Sequence, residues 1–261
     1  MTPNLTDSQT SFKSNRIARQ MQENYMIENF KNLPMGSLIS GKGIPVVTDA
    51  TYNLLYVGAS VLYTWNINAQ ALIIPAYNAN GLDISMDQTA GDGIEISPAY
   101  GVNANTRFGF VIDTAPKGFF VRAKISVSDV SDVAELSVGF RKNATAANAL
   151  SSHTDYALLQ LIAGDIKTET RLNTGTASTV DTTLNWADAG TYTLRVDVAV
   201  NGKTTFTVLD SNDVVVSTGF VSQDFQFDTG DTVIPCIRQI LGTDGTCSII
   251  LKEFECGYQH V

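Results

Sequence analysis

Basic residues are scarce in this chain. Its 17 Lys and Arg stand against 26 Asp and Glu, which leaves a formal charge of -9 and a pI near 4.6 over 261 residues. Such a balance repels a polyphosphate backbone, and no window collects Lys and Arg densely enough to reverse the local sign, so nucleic acid is excluded as a partner. Cysteine is limited to three, Cys236, Cys247 and Cys256, all late in the chain. Three thiols cannot all pair with one another. Buried thiols in strands are the simpler expectation, with a bridge from Cys236 to Cys256 or Cys247 as the alternative, and an intracellular site of folding fits better than secretion. The two histidines, His153 and His260, are far apart and lack Cys or Asp at ligand spacing. That speaks against a zinc site and a Ser-His-Asp triad, and both are read as surface residues.

Long apolar runs are missing too. The N-terminus MTPNLTDSQTSFKSNRIARQ has no apolar core of the kind a signal peptide needs. The most apolar stretch, Leu54 to Ala76, is interrupted by Thr64, Asn66, Asn68 and Gln70, and reads as β structure rather than a membrane span. Charged residues make up only 16% of the composition, and the polar remainder is mostly Thr, Ser, Asn, Asp and Gly. This is the chemistry of strands and turns, poor in helix formers.

What is present divides into three parts. Residues 1–33 are a polar tail followed by a helix predicted over Ser14 to Asn32, where Ile17, Met21 and Tyr25 recur at a spacing of four; Ser11 or Ser14 caps its start and Pro34 with Gly36 ends it. Residues 34–80 alternate short apolar runs with Gly, Asn, Asp and Pro and read as an extended or β connecting segment. From Gly81 to Val261 the pattern becomes regular, with strands at 82–86, 94–98, 107–113, 118–128, 134–141, 157–163, 167–173, 191–200, 203–209, 214–220, 232–241 and 246–258. That many strands joined by Asn-Gly, Asp-Gly and Ser-Asn turns predict an all-β, antiparallel sandwich or barrel.

Two hairpins are clearest. Tyr192, Leu194, Val196, Val198 and Val200 alternate with Thr193, Arg195 and Asp197, after which Asn201-Gly202 predicts a type I′ turn with two positive φ angles. The returning strand Thr205 to Leu209 ends at Asp210-Ser211-Asn212-Asp213, a second tight turn into Val214 to Val216. One face of this meander is apolar and needs a second sheet to cover it.

The run GTYTLRVDVAVNGKTTFTVLD, followed by CSIILKEFECGY near the C-terminus, resembles the closing strands of concanavalin A-like and laminin G-like jelly-roll sandwiches. The resemblance spans roughly residues 81–258 and speaks to fold far more than to function. A sandwich of this kind behind an N-terminal arm also resembles structural proteins of tailed bacteriophages, capsid decoration (cement) proteins and fibre subunits among them. It implies a non-enzymatic virion protein, made in the host cytoplasm and placed on the capsid surface, which binds the major capsid protein or another virion protein and forms a homo-oligomer. The arm's anchors would then be Ile17, Met21, Tyr25 and Phe30 entering apolar grooves, with Arg16 and Arg19 meeting acidic groups. The bland alternative is that this helix packs on its own sandwich.

The chemical alternatives are thinner. Glycoside hydrolases on this fold pair carboxylates on one strand, and no E-x-D-x-x-E run occurs. Glu135 stands alone, and Glu253 and Glu255 share a face that solvent exposure explains. Asp224, Asp228 and Asp231 read as turn carboxylates, as do Asp87, Asp92, Asp210 and Asp213, which lack the spacing of a calcium loop. No metal or cofactor is expected. The competing function is a carbohydrate-binding module of fibre or adhesin type, using the loop Asn143 to Asp155 and Trp186, which lies in a polar stretch; the large aromatics Trp65 and Trp186 are otherwise core residues.

Overall fold

A computed structural model describes residues 26–29, 52–57, 60–68, 75–85, 89–99, 108–216, 224–242 and 247–259. Its strands are β1 (Met26–Asn29), β2 (Tyr52–Val57), β3 (Ser60–Ile67), β4 (Ala76–Asn78), β5 (Gly81–Asp83), β6 (Gly93–Ser97), β7 (Phe110–Val111) and β8 (Phe119–Val127). They continue with β9 (Val133–Lys142), β10 (Tyr156–Ile162), β11 (Asp165–Arg171), β12 (Ser178–Asn185), β13 (Thr191–Val198), β14 (Thr204–Leu209), β15 (Thr232–Leu241) and β16 (Ile249–Tyr258). Among the described residues these make two antiparallel sheets. One has seven strands, in the order β14-β13-β8-β16-β5-β4 with β1 also on β16; the other has nine, in the order β12-β11-β10-β9-β15-β6-β3-β2 with β7 on β15. The all-β antiparallel sandwich expected from the sequence is the fold observed.

The core lies between the sheets, as the alternation requires. Val121, Ala123 and Ile125 of β8 and Leu194, Val196 and Val198 of β13 face Leu136, Val138 and Phe140 of β9 and Ala157, Leu159 and Leu161 of β10, all sealed from solvent. Each such Val, Leu, Ile or Phe side chain contributes about 1.5–3 kcal/mol over its exposed state. Phe110 stacks on Phe119 with ring centroids 4.4 Å apart, and Phe140 meets Phe119 edge-on at 5.1 Å, closing one end. All three cysteines are buried thiols. Burial pushes Cys236 up to about 12 and also raises Cys247 and Cys256.

The described part of the N-terminal region departs from the helix predicted over Ser14 to Asn32. Met26–Asn29 is a strand, pairing with β16 from Met26 opposite Cys256 to Asn29 opposite Glu253. It takes up the edge of β16 beyond the point where β5, paired only at Ile250 and Leu251, stops. An open row of backbone donors and acceptors outweighs a four-residue local pattern. The rest of that helix lies outside the described residues. The segment read as a connector, 34–80, supplies β2 and β3 to the larger sheet and β4 to the smaller.

Two turns carry further detail. At Asn201-Gly202 only Gly202 has positive φ, 88°; the Ala199 N–H donates to Lys203 O and the Gly202 N–H donates to Ala199 O, each at 2.8 Å. The loop is thus longer than the two-residue type I′ turn predicted, with the left-handed residue at its end. The second turn is as expected: Asp210 Oδ1 accepts from the N–H groups of Asn212 and Val214 at 2.8 and 2.9 Å.

Candidate functional site

In an antiparallel sheet, residues opposite one another share a face. The core-facing row of β9 is Leu136, Val138 and Phe140, so Glu135, Ser137 and Arg141 point outward. Register then sets a row across the outer face of the larger sheet: Trp65 on β3 opposite Glu95 on β6, Glu95 opposite Arg238 on β15, Arg238 opposite Ser137 on β9, and Ser137 opposite Gln160 on β10. Tyr63 lies beside this row, opposite Ser97.

The charged members are closed off from water. Glu95 is 2% exposed, Arg141 3%, His153 2% and Arg238 0%. Glu95 Oε1 accepts from Arg141 Nε and Nη2 at 2.9 and 2.6 Å, while its Oε2 accepts from Arg238 Nη1 at 3.0 Å. Arg238 Nε donates to Glu135 Oε1 at 3.1 Å, and Ser137 Oγ donates to the same oxygen at 2.9 Å. Burial alone would raise the Glu95 carboxyl, but Arg141 and Arg238 outweigh it and hold it below the ordinary carboxylate range.

The remaining donors of both arginines are spent on the loop that follows β9. Arg238 Nη1 and Nη2 donate to the carbonyls of Ala147 and Asn148, each at 2.9 Å, and Arg141 Nη1 donates to Ala144 O at 2.9 Å. Arg171 of β11 ties down the far end, donating to the carbonyls of Ser151 and His153. Leu150, in a 3-10 turn, packs on Tyr156, Leu158 and Cys236. Residues 143–155 are therefore a braced wall over the sheet. Between this wall and β3 lies a narrow crevice of about 10 Å³, room for about one water molecule, lined by Tyr63, Trp65, Glu95, Ser97, Arg141 and Ala146, with Tyr63 and Trp65 partly exposed at its side.

The structure rearranges the sequence candidates around this cleft. The Asn143 to Asp155 loop is brought to it. Trp186 is not: it is 2% exposed, its Nε1 donates to Gly190 O at 3.3 Å and its ring meets Tyr192 edge-on, so it is core and cannot stack on a sugar. His153, read as a surface residue, is buried against the charge cluster because its loop is pulled onto the sheet. Glu135 does not stand alone but shares Arg238 with Glu95. Glu253 and Glu255 are not freely solvated either; both pair with Arg122 across the smaller sheet. The aspartates do not converge: Asp231 pairs with Lys142 at 2.5 Å, Asp228 accepts from Asn173 Nδ2 at 2.7 Å, and Asp224 meets Lys203 at 3.4 Å. No group of three or more His, Cys, Asp or Glu suited to a metal ion occurs among the described residues. Arg16, Ile17, Arg19, Met21, Tyr25, Phe30, Asp87 and His260 lie outside the described residues.

No family model matches the sequence, and no curated protein does. Similar solved structures include a protein of unknown function from Shewanella oneidensis MR-1, at 16% identity and a TM-score of 0.48, with 100% of this chain and 99% of that one covered. The CBM2 module of the evolved Dit of Lactobacillus casei BL23 phage J-1 matches at 12% identity and 0.46, covering 72% and 80%. A legume lectin-like domain from Entamoeba histolytica matches at 10% and 0.48, covering 72% and 87%. At these identities and scores the likeness carries no function across.

Proposed function

We propose that the chain is a carbohydrate-binding module that stacks a neutral sugar residue on the partly exposed faces of Tyr63 and Trp65, over the crevice beside them. The observation that carries this reading is the placement of two aromatic side chains, Tyr63 and Trp65, two positions apart on β3 beside a floor whose charges cancel internally. An indole offers a flat apolar surface for the C–H face of a pyranose, and the 143–148 wall supplies polar edges for its hydroxyls. Bracing by Arg141 and Arg238 means the wall is ordered before a ligand arrives, which limits the entropy lost on binding.

Glu95 is unsuited to act as a general acid, because two guanidiniums hold it ionised where a proton donor needs a raised pKa. Binding rather than hydrolysis is the activity proposed. The test is a glycan array probed with the whole chain, in which hits that free sugar competes away support the reading and a blank array at high protein concentration overturns it.

A second reading is attachment of the module to a virion or other repeating surface through the N-terminal arm, 1–33, whose residues Met26–Asn29 pair with β16. A truncation beginning at Met26 keeps β1. If it binds particles as well as the full chain does, attachment by the preceding residues is wrong.

A further inference from the structure

Five side chains meet under the 143–155 loop, and their charges balance in one protonation state only. The two guanidiniums of Arg141 and Arg238 face the two carboxylates of Glu95 and Glu135, so the cluster sums to zero while His153 is neutral. His153 Nε2 lies 4.0 Å from Glu95 Oε2 and has no hydrogen-bond partner. The ring is fixed through its own backbone: the His153 N–H donates to Leu150 O at 3.0 Å, and its carbonyl accepts from Arg171 Nη1 at 3.2 Å. It cannot turn to water without disturbing the loop. A proton added here places a third cation beside two buried arginines, in a site closed to counter-ions, where unbalanced charge is costly.

We propose that His153 is an acid-sensitive catch on the loop that walls the Trp65 cleft: its protonation frees residues 143–153 from β9 and β15 and weakens ligand binding in acid. The consequence for binding rests on the carbohydrate reading, whereas release of the loop does not.

Each packed element contributes a charged or titratable group. Glu95 stands on β6, Glu135 and Arg141 on β9, Cys236 and Arg238 on β15, Tyr156 on β10, and Arg171 on β11 bonds the His153 carbonyl. Asp155, two residues on, turns its carboxylate away to Lys142 and to the Asn173 N–H. Glu95 alone favours the imidazolium. Burial and then Arg141 oppose it, Arg238 adds to them, and the net effect lowers His153 from the ordinary 6.5 to about 4. Between those values the open loop takes up the proton and the closed loop does not, so falling pH drives opening.

The test is hydrogen exchange of the full chain without ligand at pH 7.5 and 5.0, corrected for intrinsic rates. With pKa values of 6.5 open and about 4 closed, peptides spanning 143–153 lose protection about 30-fold at pH 5.0, and those from β13 and β14 do not. In His153→Gln, which carries no titratable ring, the loss is absent. Unchanged wild-type protection, or an equal loss in the variant, overturns the proposal. Should the variant fail to fold, NMR titration of the wild-type imidazole decides: titration of His153 near 4 supports the catch, and titration near 6.5 rejects it. None of these readouts involves a glycan, so an array failure and a catch failure are separable.

Discussion

Arg238 Nη1 lies 3.0 Å from Glu95 Oε2, across a strand pair that brings together residues 143 positions apart in the chain, and both side chains are sealed from water. The same guanidinium holds Glu135 and two loop carbonyls. One side chain thus joins β6, β9, β15 and the loop, and its removal tests all of them.

Arg238→Met leaves Glu135 and one oxygen of Glu95 without their buried cation. Breaking a buried pair from one side costs about 3–5 kcal/mol, to be read as a lower urea midpoint. In a double-mutant cycle, Arg238→Met combined with Glu95→Gln is less damaging than the sum of the two, because each single change already breaks the same Arg238–Glu95 pair.

Gln239, the next residue, points the other way. It sits between Ile94 and Leu136 on the core face, fully buried, with neither amide atom hydrogen-bonded. An unpaired buried amide costs about 1–3 kcal/mol, so Gln239→Leu is expected to stabilise by roughly that amount. The measurement is an increase in urea midpoint with an unchanged slope.

Stability should decline in two acid steps. His153 is lowered in the fold, so its neutral form contributes fully above the ordinary 6.5, and the contribution is lost as pH falls from there towards about 4, by at most about 1.4 kcal/mol per pH unit. Glu95 is also lowered, so its share is intact above the ordinary carboxylate value of 4.5 and is lost as pH falls below it. Urea midpoints from pH 8 to 3.5 should therefore fall first below 6.5 and more steeply below 4.5, and His153→Gln should abolish the first step alone.

Trp186→Ala should cost about 3–5 kcal/mol, the range for a large aromatic removed from a core, and leave glycan affinity intact in conditions where the variant remains folded. Calorimetric unfolding and a binding titration on one sample separate the two effects.

The sandwich was legible because β13 and β14 carry period-two alternation against a buried face, and β15, buried on both faces, runs over the residues expected, 232–241. β12 was not, since Ser178–Asn185 is an edge strand with mostly exposed side chains and only Thr182 buried; its sequence offers no apolar stripe to find. β1 was hidden because MIEN becomes a strand through a partner more than 200 residues away, Glu253 to Cys256. The site was the least readable part. Glu95 lies between Ile94 and Ile96, and Arg141 follows Phe140, patterns equally suited to a solvated outer face; only register brings them under one loop. Trp186 in a polar stretch and Trp65 in an apolar one suggested the reverse of their positions, because burial depends on what packs over a strand or loop as much as on its own residues.

The central claim is that Trp65 is the sugar platform, and the most direct measurement compares the affinity of wild type and Trp65→Ala for one array-identified glycan by titration calorimetry. Loss of tenfold or more, about 1.4 kcal/mol, with an unchanged unfolding midpoint is the expected result. Equal affinity in the two proteins would place the sugar elsewhere and contradict the account.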